Sequence, residues 1–201
     1  MKDTYIKGVA AATGGSVGAM HNQTGQTTSY RTGDDGDLEE GRDVDFLTLP
    51  SNNPFGTTAR FTDELGNQTY TNDIAIDWST YDGSTVLGWY INPRSGNWNT
   101  GIDTSLTTSV GSFSSGWYLP NITQLQSIIN YGVSIPLNYA PFSETSTNFW
   151  LCSTTRPTTT SQSMSLAQSG GFAHNIVSTN KTSTYAYYSV RNFTVTGTTL
   201  T

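Results

Sequence analysis

The strongest constraint in this chain is the start of one helix. In the stretch Gly116-Trp117-Tyr118-Leu119-Pro120-Asn121-Ile122-Thr123-Gln124, Asn121 stands as an N-cap. Gln124 lies three residues on, where a capping box takes Glu or Gln. Ile122, Leu125, Ile128 and Ile129 then recur at the spacing that gathers side chains on one helical face. Pro120 is tolerated just before the start, and Gly132 is placed to stop the helix after Tyr131. Ahead of it, Trp117-Tyr118-Leu119 reads as a short buried strand or turn that feeds an aromatic anchor into the core. Residues 98–110 carry a weaker helical pattern, with Trp98, Ile102 and Leu106 at i, i+4 and i+8 among Thr and Gly.

The rest of the chain reads as short strands and polar turns. Strand patterns cover residues 43–49, 74–78, 86–91, 149–153, 163–167, 172–177 and 185–190, with Gly170-Gly171 as a hairpin turn. Residues 60–63 and 68–71 flank Glu64-Leu65-Gly66-Asn67 and predict a further hairpin. Residues 1–28 are rich in Gly, Ala, Ser, Thr and Gln without a period, and read as an extended N-terminal arm that orders against a partner. Residues 29–193 form one domain, and 194–201 a polar, β-prone C-terminal arm suited to adding to a neighbour's sheet. The expected fold class is α+β, β-dominated, with one or two short helices.

Composition bounds the function classes. Hydrophobic residues make up 34%, but 12% are aromatic, so large rings can close a core that aliphatic residues alone would leave thin. With 12% charged residues, the polar surface is built mainly from Ser, Thr, Asn and Gln, as in extracellular or virion-type β-rich proteins. The net charge of −6 and 9 scattered Lys and Arg argue against a nucleic-acid partner. A single cysteine, Cys152, excludes an intrachain disulfide and a multi-thiolate metal site. No stretch approaches the length of a membrane helix, and the mixed-charge start makes a poor secretory signal. These features together suggest assembly into a particle released by lysis.

Several motifs resemble, in order, those of a large bacterial and phage family. Residues 25–30 with Gly33-Asp34-Asp35-Gly36-Asp37, then Arg60-Phe61-Thr62-Asp63, resemble its lead-in. Trp117-Tyr118-Leu119-Pro120-Asn121 with Gln124-Leu125 resembles its central "W-R-L-P-N-x-x-E-L" signature. Phe149-Trp150-Leu151-Cys152-Ser153-Thr154-Thr155 resembles its "Y-W-S-S-T" strand, and Tyr188-Ser189-Val190-Arg191 its closing "Y-x-V-R" strand. The family is typified by the C-terminal domain of the Legionella collagen-like adhesin (Lcl), a variant of the C-type lectin fold. The resemblance covers roughly residues 21–193 and implies a C-type-lectin-like domain used for display and adhesion. Tyr118 in place of Arg, Cys152 in place of Ser and Asn192 in place of a common Cys depart from the pattern. The lost cysteine pair fits a particle assembled in a reducing cytoplasm.

Local motifs give little catalytic chemistry. Gly14-Gly15-Ser16-Val17-Gly18 matches G-x-S-x-G but lacks the strand before and helix after that a nucleophile elbow requires. His21 lies in the arm and His174 in a strand, and no local triad motif accompanies either. Cys152, between aromatic and aliphatic neighbours, reads as a small buried hydrophobe. Formylglycine-generating enzymes share the broad fold but use two cysteines. Asp34, Asp35, Asp37, Glu39 and Glu40 miss the EF-hand spacing and read as a solvated acidic turn, so no metal and no cofactor is expected.

The expected binding surface is the C-terminal half, where Arg156, His174, Asn175, Asn180, Lys181, Tyr185 and Tyr187 combine flat rings with adaptable polar groups, as paratopes do. Tyr188 falls on the strand face opposite Tyr185 and Tyr187. The reading is a non-enzymatic bacteriophage virion protein, a homo-oligomer on the particle surface. It is held to other virion proteins through its N-terminal arm and attaches to a host glycan or envelope component, without membrane insertion. A purely structural decoration or fibre subunit is the alternative, and a polysaccharide-active hydrolase the third reading.

Overall fold

The computed structural model of the chain describes residues 31–32, 46–49, 51–130, 137–144, 149–155, 162–169 and 173–201, without the side chains of 143, 166–169 and 173–175. The expected arm at 1–28 and the acidic turn at 34–40 lie outside the described residues. In chain order the elements are β1 (Phe61–Thr62), β2 (Ile74–Asp77), a 3-10 turn (Trp78–Thr80), β3 (Thr85–Gly96), α1 (Trp98–Leu106), β4 (Trp117–Tyr118), α2 (Ile122–Ser127), β5 (Asn138–Tyr139), β6 (Phe142–Ser143), β7 (Phe149–Thr155), β8 (Gln162–Ser169), β9 (Ala173–Asn180), β10 (Tyr185–Thr196) and β11 (Thr199–Leu200). The described architecture is β-dominated, an open mixed sheet with two short α-helices, compatible with α+β.

The capping box at Asn121 forms. Its side chain accepts from the Gln124 N–H at 2.8 Å, and the Gln124 side chain accepts from the Asn121 N–H at 2.9 Å. Gln124 also donates to the Tyr118 hydroxyl at 2.9 Å, which ties the cap to β4. Leu125, Ile128 and Ile129 are buried as the spacing predicts, although α2 ends at Ser127, well before Gly132. The weaker pattern at 98–110 also becomes a helix, but it is anchored differently. The small residues Gly101 and Ser105 are buried, and Leu106 is exposed. Small residues let α1 approach closely: Leu119 and Leu151 lie just beyond Gly101, and Ser105 hydrogen-bonds Ser189 of β10 at 2.8 Å.

β10 is the spine of the sheet. One edge runs antiparallel to β3, from Tyr185 opposite Gly96 to Thr194 opposite Thr85. Its other edge is shared by β7, parallel through Ala186 and Trp150, by β4 at Val190 and Arg191, and by β11 at Val195 and Thr196. The full order is β1-β2-β3-β10-β7-β8-β9. Between Tyr187 and Ser189 the register slips against β3, where Pro93 sits, as strand prolines commonly do at bulges. The C-terminal segment expected as an arm instead closes a hairpin, because β11 pairs with the end of β10 and buries Leu200.

The hairpin predicted over residues 60–71 does not form. Residues 61–62 pair with Ile76 and Asp77 of β2, whose four residues are all buried and offer more apolar area than the polar 68–71. Asp63 stabilises a loop instead, accepting from the N–H groups of Leu65 at 2.9 Å and Asn67 at 2.7 Å. Its connection runs through left-handed residues at Gly66, Tyr70 and Asp73.

Aromatic rings build the interior on both faces of the sheet. Beneath α2, Trp89, Phe142, Tyr188, Trp150, Tyr139 and Phe61 share one cluster, with Trp150 and Tyr188 stacked at 4.6 Å. On the opposite face Trp117, Phe113 and Phe193 pack edge to face with Ile74, Ile76 and Trp78 nearby. Gly88 is needed here, since a Cβ would collide with the Phe193 ring. Cys152 is buried with its thiol on the Met164 carbonyl, and burial pushes its pKa up.

One charged pair sits within this apolar setting. Fully buried Arg60 grips Asp77 with two hydrogen bonds, Nε to Oδ1 at 2.9 Å and Nη2 to Oδ2 at 2.8 Å. It also donates to the Ser127 carbonyl at 2.8 Å and lies over the rings of Phe46 and Phe61. Burial lowers the Arg60 pKa, but the Asp77 charge and hydrogen bonds outweigh it and hold the guanidinium above its usual value.

Removing one partner strands a buried charge, so Arg60→Ala or Asp77→Ala should cost about 3–5 kcal/mol in denaturant unfolding. The double variant Arg60→Met with Asp77→Leu should recover much of that loss. At high pH the buried phenols act. Burial, with the Asp63 charge added, pushes Tyr70 up to about 12, while burial raises Tyr139 and Tyr188 further. These raised values favour folding below the unfolded phenol pKa of about 10, and the contribution is lost as pH rises through the folded values. Unfolding at alkaline pH should therefore begin above about pH 10. Absorbance titration should then show phenols that ionise only as the chain unfolds.

Candidate functional site

The ends of three strands meet at one side of the sheet. Antiparallel pairing sets Tyr185 and Ala186 of β10 beside Gly96 and Ser95 of β3, and parallel pairing sets Ala186 beside Trp150 of β7. Strand ends leave a gap where no further pair follows, and here it is a cleft of about 380 Å³. That is within the usual range for a small-ligand site. Its described lining comes from Pro93–Ser95, Glu144, Phe149–Trp150 and Thr184–Ala186.

Each wall has a different chemistry. Phe149 is 41% exposed and its ring lies 5.1 Å from that of half-buried Tyr185, tilted by 43°. This tilted pair presents an apolar surface at the mouth. Trp150 is fully buried and closes the bottom, held by its stack on Tyr188. The Glu144 carboxylate accepts from the Tyr188 hydroxyl at 3.1 Å. Burial first, then the nearby Glu144 charge, drive the Tyr188 phenol far above its ordinary pKa, so it stays a donor to Glu144. Arg94 is drawn away from Glu144: its guanidinium donates to Thr108 Oγ1 at 2.7 Å and lies 4.7 Å from the Tyr90 ring centroid.

The residues expected to bind fall into different places. Tyr185 lines the cleft. Tyr187 shares its strand face, as expected, yet is only 2% exposed, packed with Leu119 and Leu151 under α1. Its ring is core, because α1 covers that part of β10. Tyr188, on the other face, is core as well. Lys181 follows β9 in the turn toward β10, with its ammonium 4.0 Å from the Trp98 ring centroid and its carbonyl accepting from the Trp98 N–H. Asn180 is exposed at the start of the same turn, opposite Gln162, and does not line the cleft. Asn175 shares a cross-strand row with Phe149 through Ala167, two strands away, roughly 10 Å at ordinary strand spacing. His174 pairs with Gln168 one position further along β9. Arg156 and the acidic turn at 34–40 lie outside the described residues, and no cluster of potential metal ligands occurs among those described.

Two cleft residues escape sequence reading. Phe149 is visible as the first ring of an aromatic strand, but its exposure depends on where β7 starts. Glu144 has no sequence signal, since it reaches the cleft through the short β5–β6 hairpin. Comparison of the chain with protein-family models, with curated proteins and with solved structures finds no match in any of the three.

Tyr185 and Tyr187 should separate on substitution. Tyr187→Ala empties a closed core position and should cost about 3–5 kcal/mol, as for other buried aromatics. Tyr185→Ala should cost clearly less in the same denaturant titration, since its ring is partly solvated.

Proposed function

We propose that this chain is a non-enzymatic, C-type-lectin-like virion protein of a bacteriophage, and that it attaches the particle to a glycan of the host surface. The observation that carries the binding part is the cleft beside Phe149 and Tyr185. Sugar rings present C–H faces that pack on aromatic rings and hydroxyls that need acceptors and donors. The cleft offers both, with two rings at its mouth and Glu144, Ser95 and Thr184 along its walls. The pairing of exposed Phe149 with half-buried Tyr185 at the lip of a cleft supports attachment over a decoration role.

The virion setting is supported by the ordered motifs that resemble the adhesin family and by a weakly charged, Ser- and Thr-rich composition with one cysteine. In this reading the arm at 1–28 ties the domain to other virion proteins, and several copies act together. Multiple weak sites then combine into firm attachment through effective concentration.

On an array of bacterial surface glycans the full chain should retain a defined set of sugars. Phe149→Ala and Tyr185→Ala should each weaken that binding by about tenfold, equivalent to ~1.4 kcal/mol per ring. A particle lacking the protein that still adsorbs to its host at the normal rate would overturn the reading.

A further inference from the structure

The charge distribution inside the cleft narrows the ligand, given the glycan-binding role proposed above. Glu144 is the acid of the lining, and among the described residues the one hydrogen bond to its carboxylate comes from Tyr188. An ionised carboxylate has about four acceptor sites, so most of its capacity faces the cleft or solvent. The cation of the lining, Arg94, is already bonded to Thr108 and Thr104 and lies over Tyr90. The lining thus carries one formal charge of each sign, and among the described residues no ion pair joins the Glu144 carboxylate to a cation, which leaves it beside two aromatic rings whose faces also attract cations. The whole chain, at −6, adds a general attraction for cationic ligands.

We infer that the cleft selects an amino sugar bearing a free ammonium group, a hexosamine without its N-acetyl cap. The pyranose face stacks on Phe149 and Tyr185 while the ammonium donates to Glu144. Both an ammonium and a hydroxyl would make a charge-assisted bond to a carboxylate, but the ammonium adds a direct attraction of opposite charges that the hydroxyl lacks, so the free amine gains. The N-acetylated sugar loses that charge and brings a bulky acyl group toward the carboxylate.

The test is calorimetric titration of the full chain with short β-1,4 glucosamine oligomers and with N-acetylglucosamine oligomers of equal length, at slightly acidic pH and low salt. The glucosamine form should bind at least tenfold more tightly, and added salt should weaken it. Raising the pH until the sugar amine is neutral should remove the difference. Glu144→Gln, which keeps an acceptor for Tyr188, should abolish the preference, and Phe149→Ala should weaken both ligands alike. If Glu144→Gln fails to fold, the salt and pH dependence of the unaltered protein carries the same information. Equal binding of the two oligomers, or a preference for the acetylated one, overturns the inference while leaving glycan attachment standing. Binding of neither oligomer also overturns it, and the adsorption and array results then decide the attachment reading by themselves.

Discussion

Arg60 reaches across three parts of the chain that sequence keeps far apart. It holds Asp77 at the end of β2, the carbonyl of Ser127 at the last residue of α2, and the ring of Phe46 from the segment before β1. A cation at a helix C-terminus meets unsatisfied carbonyls and the negative end of the dipole, so the contact with Ser127 is favourable for two reasons. Asp77 is occupied as well, since its Oδ1 takes the backbone N–H and hydroxyl of Ser79 at the 3-10 turn. An ion pair of this kind adds little over a well-packed apolar substitute, but any collapsed arrangement that separates the partners leaves a bare charge in a dry interior. The pair therefore acts on which packing is chosen. It sets β1, β2 and α2 in one relative position, and the aromatic cluster fills the space they enclose.

That cluster is what gives the cleft its shape. Trp150 is fixed by its parallel stack on Tyr188, Tyr188 by its hydroxyl on Glu144, and Glu144 by the β5–β6 hairpin whose rings pack on Phe61 and Trp89. The floor and the acidic wall of the site are thus continuous with the core. The aromatic lip is different: Phe149 and Tyr185 are the first residues of β7 and β10, each one position before the Trp150–Ala186 pair that joins those two strands. Rigid support beneath a partly solvated pair of rings lowers the cost of any contact made there, because few rotamers are frozen.

Local chemistry was legible in the sequence and long-range geometry was not. The capping box at Asn121 and Gln124 could be read because both partners lie within one turn. The buried set Leu125, Ile128 and Ile129 follows from helical period alone. Most strands were found, although β3 and β10 run well past the apolar patterns that announced them, since their outer halves carry polar residues such as Asn92, Arg94, Asn192 and Thr194. The partner of residues 61–62 has no local sign, because Asp63 builds its own loop through side-chain acceptance and frees the chain to pair with β2. Leu106 belongs to the recurrence that announces α1, but the helix rests on Gly101 and Ser105, whose small size carries no hydrophobic signal. At the site, Tyr185 was found from its composition, Tyr187 was placed on its correct strand face but covered by α1, and Glu144 depends on a contact with Tyr188 that no local pattern encodes.

The position of β10 in the chain has a consequence for how the molecule is assembled. Thr85 of β3 pairs with Thr194 of β10, about a hundred residues away along the chain, and β4, β7 and β11 all dock on that same strand. Closing loops of this length before any reward is slow, so folding should be late and concerted. While the chain is being made, β2 and β3 present an unpaired edge and an uncovered apolar face. Such a sheet is exposed to mispairing between neighbouring nascent chains until its central strand emerges. The weakly charged, Thr- and Ser-rich surface does little to repel those neighbours. Completion of the sheet therefore waits on the synthesis of residues 185–196, the strand on which all the others depend.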